Sequence, residues 1–205
     1  MVSRCRVVIA TTNPGKLREI RQVLGGLDVE WLTLDDFKGL PDVEEDTPTF
    51  EANAAKKALE NARATGLWTL ADDSGLEVDA LGGLPGVISA RFAGPQQDDA
   101  ANNAKLIAEL RDVPQERRTA RFRCALALAG PEGILASAEG VVEGRIIDQP
   151  RGQNGFGYDP HFLIPALGRT TAELDPEHKN RISHRGQALR ALHPKLAALL
   201  ATGVA

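Results

Sequence analysis

The stretch that decides the fold reads Leu67-Trp68-Thr69-Leu70-Ala71-Asp72-Asp73-Ser74-Gly75. Its apolar first half has the length and composition of a buried β-strand. Upstream, Val7–Ala10 predicts another buried strand, and apolar residues at helical spacing from Leu17 to Leu27 predict a helix after it. A second helix is predicted between Thr47-Pro48 and Gly66, because threonine caps helices, proline suits their first turn and glycine ends them. This alternation of strands and helices predicts an α/β fold.

The rest of the chain predicts further strands and two more helices. A period-two alternation predicts a strand over Ala120–Leu128, and a turn at Pro131-Glu132-Gly133 predicts a hairpin. We expect Val87–Phe92 to be extended, residues 98–111 to be helical, and a C-terminal helix to be interrupted before Pro194. The simplest architecture is a mixed, twisted central sheet flanked by helices, with residues 1–205 forming a single domain of two lobes.

Composition excludes several classes of protein. The 205 residues are 42% hydrophobic and 25% charged, which predicts a folded rather than a disordered chain. No apolar run approaches the roughly 20 residues that span a bilayer or forms a secretory signal, so we expect a cytoplasmic protein with no membrane partner. The net charge of −4 argues against binding a nucleic acid polymer mainly through its phosphates. Cys5 and Cys124 lie in apolar segments without zinc-site spacing, and we expect them to be small buried residues.

Two adjacent carboxylates, Asp72 and Asp73, follow the deciding strand, where we expect the chain to emerge into a loop. Carboxylates near a core are costly unless they bind a cation, form an ion pair or accept several hydrogen bonds. A hard cation such as Mg²⁺ prefers such rigid oxygen ligands and leaves room for phosphate. The alternative is a polar turn that caps the next element. The metal-site interpretation requires other charged groups around the pair, whereas the turn interpretation does not.

The loop Thr11-Thr12-Asn13-Pro14-Gly15-Lys16 joins the first predicted strand to its helix. A helix N-terminus offers unpaired N–H groups and a positive dipole end, and Lys16 adds a full charge, so the loop suits a phosphate. It is not a Walker A loop, since Leu17 stands where a magnesium-binding Ser or Thr should be. Any metal is therefore held elsewhere. The acidic segment Glu44-Glu45-Asp46 lies just before the second predicted helix. That segment meets the Asp pair only if it folds back, and otherwise Glu44 complements the helix dipole.

A glycine-rich loop around Phe156 and Tyr158, followed by a cationic cluster at Lys179, His184 and Arg185, suits a nucleobase. Phenylalanine can stack on a base, and the cations can donate to purine carbonyl oxygens or to phosphate. A tight turn and a salt-bridged surface are the competing explanations. If the acidic and basic regions face each other, the active site lies in the cleft between the two lobes.

Six blocks of residues occur in an order that resembles the inosine triphosphate pyrophosphatase family, house-cleaning enzymes that hydrolyse deaminated purine nucleoside triphosphates. The blocks are Thr12–Lys16, Thr49-Phe50 with Asn53-Ala54 and Lys57-Ala58, Ala71–Leu76, Leu84–Gly86 with Ser89–Phe92, Gly155–Pro160 and Ile182–Gly186. The resemblance implies a homodimeric, Mg²⁺-dependent hydrolase that converts ITP, dITP or XTP to the monophosphate and pyrophosphate. The chain departs from the family pattern at Ala52, where glutamate is common.

The resemblance also implies roles for individual residues. Asp73 would be the general base, and Glu44 and Asp73 would hold Mg²⁺. The implied substrate-binding residues are Thr11, Thr12, Asn13, Pro14, Gly15, Lys16, Lys57, Ser74, Phe156, Gly157, Tyr158, Asp159, Lys179, His184 and Arg185. Two alternatives keep the scaffold: a pyrophosphatase for other modified nucleotides, and a non-catalytic nucleotide-binding protein.

Overall fold

The computed structural model describes residues 4–40 and 42–202. Its strands are β1 (Cys5–Ile9), β2 (Val29–Thr33), β3 (Trp68–Val78), β4 (Thr119–Gly130), β5 (Gly133–Ile146), β6 (Phe162–Ile164) and β7 (Arg169–Thr170). Its α-helices are α1 (Pro14–Leu24), α2 (Phe50–Thr65), α3 (Asp99–Glu109), α4 (Pro176–Ile182) and α5 (His184–Ala201). The seven strands form one mixed sheet in the order β2-β1-β3-β4-β5-β6-β7. The predicted α/β fold with a mixed, twisted sheet is confirmed.

The chain divides into two compact units. The first unit comprises Met1–Asp73, Cys124–Gly140 and Arg185–Ala205, and the second comprises Ser74–Arg123 and Val141–His184. In the first unit, alternate residues of β1 and β4 pack with apolar residues of α1 and α5 in a core that contains the buried Cys124. In the second unit, residues of β3, α3, β4 and β6 form a separate core. No helix in the described part of the chain is long and apolar enough to cross a membrane.

Several predicted elements differ from the structure in their bounds or their type. Helix α2 is capped by the Thr49 side chain and not at Thr47-Pro48. The segment expected to be extended is a 3₁₀ helix, Gly86–Arg91. Helix α5 continues through Pro194, contrary to the prediction. Proline there removes the hydrogen bond to the carbonyl of Arg190, an exposed residue. Strand β2 was not predicted, whereas the hairpin of β4 and β5 is confirmed.

Strand β3 is longer than predicted, and this difference positions the Asp pair. The strand runs to Val78, so Asp72 and Asp73 lie within it and not in a loop. Strand β1 ends opposite Leu70, and the backbone N–H of Ala10 donates to the Leu70 carbonyl oxygen at 2.8 Å. Both aspartates therefore lie just beyond the carboxyl end of β1. The chain passes from β1 to β2 on one side of β1 and then to β3 on its other side, with both strands parallel to β1. The carboxyl end of β1 is therefore a switch point of the kind where α/β sheets bind ligands.

Candidate active site

The two adjacent aspartates of β3 contact different helices. Neighbouring residues of a strand point to opposite faces of the sheet. Accordingly, the ion-pair partners of Asp72 lie on α1 and α5, whereas Asp73 accepts a hydrogen bond from α2. The strand thus presents two buried carboxylates with different hydrogen-bond and ion-pair partners, although the charges of Lys16 and Lys57 act on both.

Asp72 is the centre of a buried ion-pair network. It is 1% exposed, and its carboxylate lies 3.1 Å from Lys16 Nζ and 3.0 Å from Arg185 Nε. Arg185 is equally buried and also pairs with Glu19. Burial alone would raise the pKa of Asp72, but the charges of Lys16 and Arg185 outweigh it and hold that pKa well below its usual range. Asp72 is therefore an ionised anchor, and Arg185, expected in the base pocket, is directed at carboxylates.

Asp73 has the opposite electrostatic character. It is 4% exposed, and Asn53 Nδ2 donates to its Oδ2 at 3.0 Å. Burial, followed by the charge of Glu45, raises the pKa of Asp73 to about 6, although Lys16 and Lys57 oppose the shift. A carboxylate with this pKa is mostly ionised at neutral pH, and a bound cation would lower the pKa and keep it ionised. It is suited to orienting and deprotonating a water molecule.

The acidic segment before α2 folds back along the helix, a question that the sequence left open. Asp46 pairs with Lys56 at 2.7 Å, and Glu45 pairs with Lys57 two turns into the helix. Burial lowers the pKa of Lys57, but the charges of Asp72 and Glu45 outweigh this effect and raise it. The segment therefore brings the charge of Glu45 close to the charges of the buried aspartates.

The phosphate loop is capped by its own asparagine. The Asn13 side chain accepts hydrogen bonds from the backbone N–H groups of Gly15 at 2.8 Å and Lys16 at 3.1 Å. The expectation that these N–H groups are unpaired is therefore wrong, because asparagine is a strong N-cap. The Lys16 ammonium, the helix dipole and the hydroxyl groups of Thr11 and Thr12 remain as features that suit an anion.

Asp159 organises the glycine-rich loop of the second unit. Its Oδ2 accepts from the Phe156 backbone N–H at 2.9 Å and from Lys179 Nζ at 2.6 Å. Its Oδ1 accepts from the Thr171 hydroxyl at 2.7 Å. The Lys179 ammonium lies 4.8 Å from the centroid of the Phe156 ring. One buried carboxylate thus fixes an aromatic ring and a cation that lies over its face, and these are two residues that the sequence assigned to a nucleobase.

The other predicted substrate-binding residues of the second unit contact its core, its backbone or its strands. The Tyr158 hydroxyl donates to the Ser89 carbonyl oxygen at 2.7 Å, and its ring belongs to the core of the second unit. The His184 ring stacks on Phe122 with centroids 4.8 Å apart. Gly157 donates from its backbone N–H to Asp99 at 2.7 Å. Ser74 is half-buried in β3.

Comparison with known proteins shows the family of this chain. A family model described as the Ham1 family matches residues 7–195. The chain belongs to the Ham1 family. This membership confirms the resemblance to inosine triphosphate pyrophosphatases.

Ham1 relatives match almost the whole chain. A dITP/XTP pyrophosphatase of Geobacter sulfurreducens is 56% identical over 191 residues, which cover 93% of this chain and 96% of that protein. One of Bacillus subtilis is 46% identical over 198 residues, covering 97% of this chain and all of that protein (100%). The structure of a HAM1 protein from Coxiella burnetii superimposes with a TM-score of 0.87 at 43% identity, covering 95% of this chain and 99% of that one.

Two carboxylates of this Ham1 protein have the chemistry of a Mg²⁺ site. Glu45 and Asp73 are close enough for the charge of one to raise the pKa of the other, and a cation between them would relieve that repulsion. Among the described residues, no group of three or more His, Cys, Asp or Glu side chains is arranged to hold a metal. Two oxygen ligands leave positions for phosphate and water, as Mg²⁺ prefers in nucleotide sites. The residues present therefore fit the ion.

Sequence reasoning missed two residues of the Ham1 site. Glu44, the predicted ligand, is exposed, and the neighbouring Glu45 is the one whose charge acts on Asp73. Asn53 was quoted as part of a family block but given no role. The sequence did contain a signal for Asn53. It follows Phe50 by three residues and adjoins Ala54, which places it on the apolar face of α2, where it is buried.

Proposed function

We propose that this protein hydrolyses deaminated purine nucleoside triphosphates, ITP, dITP and XTP, to the nucleoside monophosphate and pyrophosphate. The observation that carries the proposal is the buried Asp73, held by Asn53 and influenced by the charges of Lys16 and Lys57 beyond the carboxyl end of β1. The Ham1 relatives named dITP/XTP pyrophosphatases support the same substrate class.

In the proposed reaction, Asp73 orients a water molecule and accepts its proton as the water oxygen attacks phosphorus. The P–O bond between the α- and β-phosphates breaks, and pyrophosphate leaves. Lys16 and Lys57 stabilise the negative charge that develops on the phosphates. Glu45 and Asp73 would hold Mg²⁺, whose charge supports the departure of pyrophosphate. Because the charge of Glu45 acts on Asp73, we propose Glu45 for this role beside the predicted Glu44.

Base selectivity follows from the cation held beside Phe156. A base stacked on that ring would present its 6-position to donors such as Lys179, whose ammonium is fixed by Asp159. Hypoxanthine and xanthine carry an acceptor oxygen there, whereas adenine carries a donor amino group. An unpaired buried donor costs about 1–3 kcal/mol, and more when it is charged, so adenine nucleotides are disfavoured.

A nucleotide panel tests the proposed function. We expect ITP, dITP and XTP to be hydrolysed with kcat/KM at least about 10²-fold above that of ATP, since buried donors reject a mismatched edge. The assay measures pyrophosphate with and without Mg²⁺, over a panel that includes GTP and modified pyrimidine nucleotides. Equal turnover of all nucleotides, or orthophosphate as the first product, would contradict the proposal. Thermal stabilisation by nucleotide without any product would identify the non-catalytic alternative.

The Gly155→Ala substitution tests the base loop. Gly155 has φ +81°, and a Cβ there would lie 2.0 Å from Asp159 Oδ2 and 3.1 Å from Lys179 Nζ. The clash would displace Asp159 and Lys179, which both contact Phe156. We therefore expect KM for ITP to rise about tenfold, the effect on binding of losing about one hydrogen bond. Gly168→Ala is the matched control, because φ there is +61° and no atom lies within 4 Å of the added Cβ. An unchanged KM in Gly155→Ala, or an equal rise in Gly168→Ala, would refute this role of the loop.

Two features remain predictions of the family resemblance and the composition. We propose a homodimer, which light scattering of the purified protein tests. We also propose a cytoplasmic location and no nucleic acid polymer as partner, in keeping with the net charge of −4.

A further inference from the structure

The side-chain amide of Asn53 joins two separate parts of the first unit. Its Nδ2 donates to Asp73 Oδ2 at 3.0 Å. Its Oδ1 accepts from the Thr47 backbone N–H at 3.0 Å and from the Thr47 hydroxyl at 2.7 Å. The residue is 1% exposed, so these bonds are shielded from water. Asn53 thus connects the proposed base to the segment that carries Glu45.

The chemistry of this position calls for an amide. The group facing Thr47 must accept two hydrogen bonds, and the group facing Asp73 must donate one to a carboxylate. A carboxylate in place of Asn53 would repel Asp73, and an apolar side chain would leave buried polar atoms without partners. These partners also determine the orientation of the amide, because the reverse orientation would place an oxygen against the carboxylate.

Asn53 bonds a segment whose backbone has no regular structure. Residues 42–49 belong to neither helix nor strand. The Asp46–Lys56 pair on this segment is partly exposed, and such pairs contribute little. The segment is therefore attached to α2 by the part-buried bonds between Thr47 and Asn53 and by the Glu45–Lys57 pair, and only the first attachment also reaches Asp73 through a side-chain hydrogen bond of Asn53.

We propose that Asn53 is a positioning residue that holds the Glu45-bearing segment and the Asp73 carboxylate in one fixed relation. In this role it acts through the two groups that it aligns, the Asp73 carboxylate and Thr47, and exchanges no proton or bond itself. The kinetic part of the inference rests on the proposed function, whereas the structural part does not.

Asn61 provides a matched control on the same helix. It is also buried, at 3% exposure, and its Nδ2 donates to the backbone carbonyl oxygen of Lys57 at 2.9 Å. We expect Asn53→Ala to lower kcat for ITP by about 30- to 100-fold with KM changed less than about threefold, since small misplacements of catalytic groups cost this much. Asn61→Ala should leave both parameters within about threefold. A loss of kcat in Asn61→Ala equal to that in Asn53→Ala would overturn the inference, as would an effect of Asn53→Ala on KM alone.

A second measurement needs neither substrate nor metal. A glutamate-specific protease cuts after Glu44 and Glu45 when the segment leaves the helix. With folded protein well below its unfolding temperature, we expect cleavage at these sites to be about tenfold faster in Asn53→Ala than in wild type or Asn61→Ala, because local opening governs proteolysis. Equal cleavage rates would overturn the inference. If the wild type fails to hydrolyse ITP, the proposed function fails while this measurement still decides the positioning role.

Thr47→Val is a second variant that tests the inference if Asn53→Ala does not fold. It removes the hydroxyl bond to Asn53 Oδ1 and leaves the bond between Asn53 and Asp73 in place. We expect cleavage after Glu44 and Glu45 to be about threefold faster than in wild type, because one hydrogen bond is lost. The loss of kcat should be smaller than the roughly 30-fold expected at least for Asn53→Ala. Wild-type values for both measurements would show that the attachment of the segment does not position Asp73.

Discussion

Replacing Asp73 with Asn is expected to lower kcat for ITP by about 10³-fold or more, because general bases contribute about 10²- to 10⁴-fold and this one is also a proposed metal ligand. The new amide has nearly the shape of the carboxylate and can still accept the hydrogen bond from Asn53 Nδ2. It cannot accept a proton from water or offer an anionic oxygen to Mg²⁺. The variant should therefore fold normally and fail in the chemical step.

Binding and turnover can be separated experimentally in this variant. An ITP analogue with a methylene bridge between the α- and β-phosphates cannot be cleaved, and its dissociation constant from calorimetry should change less than about tenfold. Asp79→Asn serves as the control, since Asp79 is an exposed carboxylate that bonds Thr119 and Arg121. If the Asp73 variant keeps near wild-type kcat, Asp73 is not the base.

Replacing Asp72 with Ala is expected to damage the fold itself. Removal of one member of a buried ion pair costs about 3–5 kcal/mol, because the remaining charge stays buried without its partner. Here the remaining charges are Lys16 and the Arg185 guanidinium, which is 1% exposed, lies 3.0 Å from Asp72 and would keep its pair with Glu19. For a chain of this size the unfolding midpoint should fall by about 6–20 °C, measured by calorimetry.

A matched surface pair controls for the loss of any aspartate. Asp28 pairs with Arg4 at 2.7 Å, but the two side chains are 81% and 70% exposed. Water screens such pairs, so Asp28→Ala should leave the unfolding midpoint almost unchanged. Equal effects of the two substitutions would mean that the Asp72 network contributes no more than a surface pair.

The pH dependence of this stability difference has a definite sign. The charges of Lys16 and Arg185, which outweigh the effect of burial, lower the pKa of Asp72 in the folded state. A lowered folded-state pKa stabilises the protein above the unfolded-state pKa of about 3.9, and this stabilisation is lost as the pH falls towards the folded-state value. In urea titrations, the difference between wild type and Asp72→Ala should be constant down to about pH 5 and narrow below about pH 4. A difference that widens in acid would contradict the ionised anchor.

These two predictions separate residues that are adjacent in the chain. One aspartate is expected to be required for turnover with little effect on folding, and the other for folding. Their division follows from strand geometry, because consecutive side chains enter opposite faces of the sheet. Asp72 meets cations from α1 and α5, and Asp73 meets the amide of Asn53 and the negative charge of Glu45.

Local patterns in the sequence predicted most of the fold. The helix after β1, the end of α2 at Gly66, the helix near residues 98–111 and the β4–β5 hairpin rest on periodicity and turn residues, which act over short distances. The extent of β3 was missed, because Asp72-Asp73-Ser74-Gly75 has the composition of a loop. Burial among charged partners and the long sheet override that local preference.

The sequence by itself determined the α/β class, the family and most of the polar residues of the candidate site. It named Glu44 and could not show that Glu45 pairs with Lys57, since a segment without regular structure has no periodicity that assigns a face. Nor could it divide the aspartates, because Asp72 and its partner Arg185 are 113 residues apart in the chain. Such pairings arise only when distant segments pack, and the resulting burial and charges decide which carboxylate is an anchor and which can act as a base.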